Sequence, residues 1–391
     1  GSDIYLTLDA GLQDEAIAAL DNYRGAIVVL DPNTGAILAF VSKPAYDPNA
    51  FVNGISRSMY QSLSTSPNRP LFNRALQGQY PPGSTVKPLV ALAGLQYGVR
   101  TADQATWCPG WYTLPNDPHQ YRDWLRTGHG NMNLKFSIAH SCDVYYYTLA
   151  HDLGIRRLHE MLARFGLGAI TGVDIPGEAG GLLPSPEWKK RARKQPWYPG
   201  ETISAAIGQG YVTVTPLQMA SVIGTVANDG LSIKPRLVQA VMNRTTGDRA
   251  EFPPTVRGKV AVKPATIALI KSALADVVTK GTATRAKSPL VTIGGKTGTA
   301  QTAALRTGPE KDIPKKFRDH AWFVAFAPVE APRIAVAVLA EHMGHGGSAA
   351  APLAKDVIEA YVKAYPQVLQ GAPPSGRAKS PAVPVDARPK T

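Results

Sequence analysis

The chain has 391 residues, with 42 lysines and arginines against 29 acidic residues, a formal net charge of +13 and only 2 cysteines. Its 44% hydrophobic and 8% aromatic residues supply ample core material, which excludes a wholly disordered chain. Two cysteines exclude a disulfide-dense mini-scaffold and a four-thiolate metal site.

In chain order, residues 4–8 alternate like a strand, and Asp9 reads as the cap of a helix running through Leu12, Ala16, Ala19 and Leu20. Residues 25–31 and 36–42 are β-prone apolar runs joined at Asp31-Pro32-Asn33-Thr34-Gly35, a hairpin signal. A loop-rich stretch leads to Tyr80-Pro81-Pro82-Gly83, after which 84–97 reads as a buried helix opening at Ser84. Helical patterns recur at 131–166 and 212–229. Residues 290–295 read as a short strand ending in Gly294-Gly295. A second hairpin is expected at 320–327 and 333–340, and a closing helix near 351–364. The composition of 371–391 predicts a disordered tail.

These elements predict an α+β fold: one antiparallel sheet built from both chain ends, flanked by helices, around a mainly helical insertion. The expected division is a domain over 1–370, with sheet parts at about 1–80 and 285–370, a mainly helical part at about 84–230, and the tail. No run approaches the roughly 18–20 apolar residues of a spanning helix, and no leader with a basic start and an apolar middle is present. The Gly1-Ser2 start without methionine reads as a cleavage scar on a trimmed chain, an N-terminal anchor having been removed. The basic runs Lys189-Lys190-Arg191 with Arg193-Lys194, and Lys311 with Lys315-Lys316-Phe317-Arg318, lack interleaved aromatics and any nucleic-acid motif. They read as solvated faces; attraction to an anionic surface or substrate is the second reading.

Three short motifs carry chemistry. In Ser84-Thr85-Val86-Lys87, a serine at a helix start has a lysine one turn on, a base able to take the hydroxyl proton once its own pKa is lowered. The helix N-terminus favours an oxyanion beside the serine. Ser141-Cys142-Asp143 offers a second hydroxyl as a proton relay, the bland alternative being a helix N-cap by Ser141 or Asp143. Lys296-Thr297-Gly298-Thr299 on an edge strand would align an extended peptide and hold a carboxylate, Gly298 letting the backbone lie close to it.

In this order and spacing, the three resemble the signature of penicillin-binding proteins and serine β-lactamases. Tyr80–Pro88, Gly208-Gln209-Gly210-Tyr211, Thr215–Met219 and Lys296–Gln301 are similar to the class B penicillin-binding proteins. Tyr121-Arg122-Asp123-Trp124, Gly128-His129-Gly130 and Lys194-Gln195-Pro196-Trp197-Tyr198 resemble their elongation-specific branch. The resemblance covers roughly 3–366. It implies a D,D-transpeptidase of peptidoglycan that forms a Ser84 acyl-enzyme with D-Ala-D-Ala stem peptides, cross-links them to a neighbouring stem amine, and is acylated by β-lactams. By the same resemblance Lys87 is the base, Ser141 the relay and Lys296 the electrostatic partner. The N–H groups of Ser84 and Thr299 form the oxyanion hole, and Thr297, Gly298 and Thr299 bind substrate. Asp143 stands where the wider family has Asn.

The resemblance further implies the periplasmic face of a bacterial inner membrane, and a membrane glycosyltransferase and scaffold proteins of the elongation machinery as partners. Nucleic acid is not among them. A serine β-lactamase or D,D-carboxypeptidase is the rival enzyme, and a non-catalytic β-lactam sensor or peptidoglycan-binding module the rival class.

Cys108, Asp123, His129 and Cys142 are four side chains of types that zinc accepts. A Cys108–Cys142 disulfide in an oxidising compartment, and two buried free thiols, are the alternatives. Some members of the resembled branch carry a structural Zn2+ in this segment. One pattern there has Asp in place of Cys108, so the ligand set is a variant of theirs. The acyl transfer itself implies no cofactor.

Overall fold

A computed structural model describes residues 1–21, 23–52, 54–302 and 313–370. Its centre is a five-stranded sheet: β1 (Gly25–Leu30), β2 (Ile37–Lys43), β3 (Gly294–Ala300), β4 (His320–Ala327) and β5 (Ile334–Ala340). The spatial order is β3-β4-β5-β1-β2, every neighbour antiparallel. All residues of β1 and β5 are buried, which is why these strands read as continuous apolar runs and not as alternating ones: both sheet faces are covered.

Six helices frame the sheet and the cleft: α1 (Ala10–Leu20), α2 (Lys87–Gln96), α3 (Asp143–Arg164), α4 (Pro216–Ala227), α5 (Pro264–Thr279) and α6 (Gly346–Ala364). Helices α1 and α6 pack on each other and on the sheet, α4 packs on β5 and β1, and α5 lies against the edge strand β3. The Asp9 carboxylate caps α1, accepting from Leu12 N at 2.9 Å. Helix α2 is buried from Lys87 to Gly94 and packs on α3 and α5, as a helix apolar on all sides must. The fold is α+β, as expected. Among the described residues, no helix is long and apolar enough to cross a membrane.

Several elements differ from the sequence reading. The first strand is Ser2–Leu6 and pairs with Val238–Asn243 in a separate three-stranded sheet, so the extreme N-terminus is not part of the central sheet. Strand β3 begins at Gly294, where the strand was expected to end, and carries Lys296-Thr297-Gly298-Thr299 within it. The segment at 131–166 splits into a strand at Gly130–Met132, a short helix at Leu134–Ala139, and α3. The closing helix starts five residues early, at Gly346. Lys189 is not solvated: it is 1% exposed, paired with Glu201, with its ammonium 4.3 Å from the Tyr198 ring centroid. Lys311 and the expected tail at 371–391 lie outside the described residues.

Candidate active site

Ser84 sits in a 3-10 turn, Gly83–Val86, and the α-helix proper starts at Lys87, one turn later than expected. Two glycines allow the surroundings to close on it. Gly83 has φ 55°, and a Cβ there would come within 3.0 Å of Thr299 N. Gly208 has φ 69°, and a Cβ there would collide with Gly83 O, the oxygen next to Ser84. Gly83 N donates to Gly208 O at 2.9 Å. Gly208→Ala is therefore expected to slow penicillin acylation about tenfold or more with the fold retained; a fluorescent-penicillin time course and a melting curve would check it. Upstream, Trp322 Nε1 in β4 donates to Pro81 O at 3.0 Å, and the Tyr80 hydroxyl donates to Glu341 Oε1 at 2.7 Å.

The lysine of the first motif meets the second motif directly. Lys87, 0% exposed, donates from Nζ to Ser141 O at 2.7 Å, to Ser141 Oγ at 3.3 Å and to Asp143 Oδ1 at 2.7 Å. Its ammonium also lies 5.2 Å from the Tyr146 ring centroid. Neither Ser141 nor Asp143 caps α3. Ser141 has φ 57° and turns its carbonyl toward Lys87, while the N-cap is Cys142, whose Sγ accepts from Tyr145 N at 3.5 Å. Asp143 Oδ2 accepts from Trp124 N at 3.0 Å. An asparagine there would present one carbonyl oxygen and no charge to Lys87.

Lys296 is also fully buried, and its Nζ donates to Thr297 O at 3.2 Å and Thr297 Oγ1 at 3.5 Å. Burial, and then the Lys87 charge, push this amine well below the ordinary lysine range, against an opposing pull from Asp143. Strand β3 is the sheet edge, and Thr297, Gly298 and Thr299 line a cleft of about 690 Å³ together with Ser84, Ser141 and Asp143. All three motifs therefore open onto one space.

Other cleft residues were not singled out as site residues from the sequence. Gln209 Nε2 donates to Thr299 O at 3.0 Å, and Thr282 Oγ1 hydrogen-bonds Thr297 Oγ1 at 2.7 Å. Arg122, Arg126 and Arg285 bring cationic charge to the same cleft. Gly-Gln-Gly was a legible signal for the first, whereas Thr282 and Arg285 follow α5 with no motif around them.

Cys108, Asp123, His129 and Cys142 also converge. Cys108 pairs in a short ladder opposite Gly130, and a Cβ at Gly128, φ 80°, would collide with Cys108 O. One ligand atom from each of the four lies within 4.8 Å of the others. The measured edges are Cys108 Sγ–Asp123 Oδ2 3.5 Å, Cys108 Sγ–His129 Nδ1 3.7 Å, Cys142 Sγ–Asp123 Oδ2 3.5 Å and Asp123 Oδ1–His129 Nδ1 3.4 Å. Tetrahedral zinc with ordinary bond lengths has ligand–ligand edges of about 3.3–3.8 Å; these separations, two to Asp123 Oδ2 and one to Oδ1, are of that size, and two thiols, an imidazole and a carboxylate are donor types the ion accepts. No disulfide joins the two cysteines. Burial pushes both thiols up, and the His129 Nε2 is buried without a partner.

Asp123 links this cluster to the catalytic motif. Its Oδ2 accepts from Asp143 N at 2.7 Å and Val144 N at 3.1 Å, the first amides of α3, and its Oδ1 accepts from Leu125 N at 3.0 Å. Burial opposes its charge. The His129 contact, the Leu125 and Val144 amides and the Lys87 charge outweigh that and hold the carboxyl well below the usual carboxylate range.

A family model described as the penicillin binding protein transpeptidase domain matches residues 25–359. The chain belongs to the penicillin-binding-protein transpeptidase family. It is 46% identical over 368 residues to the peptidoglycan D,D-transpeptidase MrdA of Acinetobacter baumannii, covering 92% of this chain and 54% of that protein. It thus spans about half the length of this curated relative. Among solved structures it superposes on penicillin-binding protein 2 of Pseudomonas aeruginosa in complex with WCK 5153. The TM-score there is 0.84 and the identity 46%, over 93% of this chain and 79% of that one. With penicillin-binding protein 2 of Helicobacter pylori in complex with MreC, the TM-score is 0.82 and the identity 34%, over 92% and 64%. Ser84, Ser141 and Thr297-Gly298-Thr299 line one cleft, and the buried Lys87 reaches it through Ser141 Oγ.

Proposed function

We propose that this penicillin-binding-protein domain is a peptidoglycan D,D-transpeptidase with Ser84 as nucleophile. The observation that carries the reading is the buried Lys87 ammonium, which joins Ser141 Oγ and Asp143 to the turn holding Ser84. In the acylation half, Ser84 Oγ bonds to the penultimate D-Ala carbonyl and the C–N bond to the terminal D-Ala breaks; Lys87 passes one of its protons through the Ser141 hydroxyl to the departing nitrogen and takes the Ser84 proton in its place. In the second half an amine attacks the ester. The carbon–Oγ bond breaks, the amide forms, and one amine proton returns to Ser84. The N–H groups of Ser84 and Thr299 hold the oxyanion, and Lys296 with Thr297, Gly298 and Thr299 receives the terminal carboxylate.

Intact mass of the protein after penicillin treatment tests this. One penicilloyl adduct is expected on the native chain and none on Ser84→Ala; an adduct that survives Ser84→Ala would overturn it. Hydrolysis of the adduct within seconds would favour a β-lactamase. Release of D-Ala without cross-linked product would favour a carboxypeptidase, or, with no turnover at all, a sensor.

We further infer a structural Zn2+ on Cys108, Asp123, His129 and Cys142. When bound, the ion ties together the segments that carry its ligands and takes no part in the acyl transfer. Stoichiometric zinc is expected in protein purified without chelator. Its removal should lower the melting temperature by about 5 °C or more; metal-free protein of unchanged stability would count against the site.

The proposed location is the periplasmic face of the inner membrane, held by an N-terminal anchor. The proposed partners are the elongation glycosyltransferase and its scaffold, for which the MreC complex of the H. pylori relative is the supporting parallel.

A further inference from the structure

The catalytic cleft continues past the nucleophile. Tyr121 and Ser204 line both it and a second cavity of about 580 Å³, a size within the range of about 300–1,000 Å³ typical of ligand pockets. Residues at the ends of two sequence motifs supply its walls: Tyr121 opens Tyr-Arg-Asp-Trp, and Tyr198 closes Lys-Gln-Pro-Trp-Tyr. The wall is built rather than incidental. Tyr198 precedes a helix, Pro199–Ala206, and its N–H donates to Glu201 Oε2 at 2.8 Å. Glu201 in turn pairs with the buried Lys189. The Tyr121 hydroxyl rests so closely on Gly200 that a Cβ there would collide with it.

The two spaces differ in charge. Arg122, Arg126 and Arg285 line the catalytic cleft together with Asp123, Asp143 and Asp319, so both signs of charge are present there. The second cavity is lined by Asp117 and Glu201 and by no lysine or arginine. Asp117 Oδ1 accepts from His119 N at 2.9 Å, and the carboxylate pairs with no cation among the described residues.

We propose that this second cavity is the acceptor subsite: it seats the amine-bearing side chain of the neighbouring stem peptide, with its ammonium held at Asp117. This deepens the transpeptidase reading and rests on it. The ammonium gives one proton to solvent, and the free amine reaches the Ser84 ester past Tyr121 and Ser204. Amide formation and cleavage of the carbon–Oγ bond then proceed as in the second half-reaction above. With Glu201 paired to Lys189, Asp117 is the carboxylate left to select a cationic side chain over a neutral one in a cavity lined by no lysine or arginine.

The test uses protein already acylated by penicillin, with the adduct verified by intact mass, so that the donor side is filled. A stem tripeptide with a free side-chain ammonium and its N-acetylated counterpart are titrated by calorimetry. The free-amine peptide is expected to bind saturably and at least about tenfold more tightly than the acetylated one, and Asp117→Asn should remove that difference. Equal affinity for the two peptides on the native sequence would overturn the subsite, as would no saturable binding or an undiminished preference in Asp117→Asn. The comparison on the native sequence needs no variant to fold. Absence of the penicilloyl adduct would instead overturn the transpeptidase reading, and the subsite with it.

Discussion

Replacing Lys87 by methionine is expected to slow penicillin acylation of Ser84 by about 10²–10⁴-fold, the usual contribution of a positioned general base. Methionine keeps the length and apolar stem of the side chain while removing the donor that reaches Ser141 O, Ser141 Oγ and Asp143 Oδ1. The same change leaves the nearly buried Asp143 carboxylate without its cation, which is destabilising in its own right. The double variant Lys87→Met with Asp143→Asn separates the two effects. Its melting temperature should return toward that of the native sequence while acylation stays slow. Acylation of either variant within about threefold of the native rate, timed with a fluorescent penicillin, would remove Lys87 from the proton path.

Glu341→Ala is expected to destabilise the fold by about 3–5 kcal/mol, the range for removing one partner of a buried ion pair. Glu341, 6% exposed, accepts at Oε1 from Arg74 Nε at 2.9 Å and from the Tyr80 hydroxyl at 2.7 Å, and at Oε2 from Arg24. Arg74 is 3% exposed and would be left as a charge without an anion. Burial opposes ionisation of Glu341, but the Tyr80 hydroxyl and the two arginines outweigh it and lower the pKa. The folded carboxyl thus binds its proton more weakly than the unfolded one. The stabilisation is present above the unfolded value of about 4.3 and is lost as pH falls through the lower folded value. Urea unfolding of the native sequence and Glu341→Gln between pH 7 and pH 3 should show a smaller acid-dependent loss in the variant, the remainder coming from other depressed carboxylates such as Asp123. Because Tyr80 leads into Pro81-Pro82-Gly83, acylation should also slow in Glu341→Ala. A loss of stability below about 1 kcal/mol would show that the network contributes little.

The convergence of three motifs on one cleft was legible because each motif is local in sequence, and the two hairpins of the central sheet because apolar runs flank turn residues. What escaped depended on partners distant in sequence. Gly294-Gly295 reads as a strand end, yet a Cβ at either would press into the Phe326 or Phe323 ring. The glycines are there because β4 packs its phenylalanines across β3. Lys189 sits in a basic run and is buried only because Glu201 and Tyr198 return to it. Cys142 capping α3 could not be seen either, since serine and aspartate beside it are the better caps by type; the left-handed turn at Ser141 decides the matter. Helix α5 carries apolar residues at helical spacing, Ile267, Ile270, Leu274, Val277 and Val278, but no motif that would tie it to β3.

Asp123 supports α3's first amides with the same carboxylate that faces Cys108, His129 and Cys142. For anyone building chimaeras, this sets the smallest unit that can be exchanged between family members. Grafting Ser141-Cys142-Asp143 alone would move a buried thiol away from its three companions and leave two helix amides without their acceptor. The stretch from Thr106 to Tyr146 holds all of these together with the aromatic ring beside Lys87, and is the segment that should travel whole.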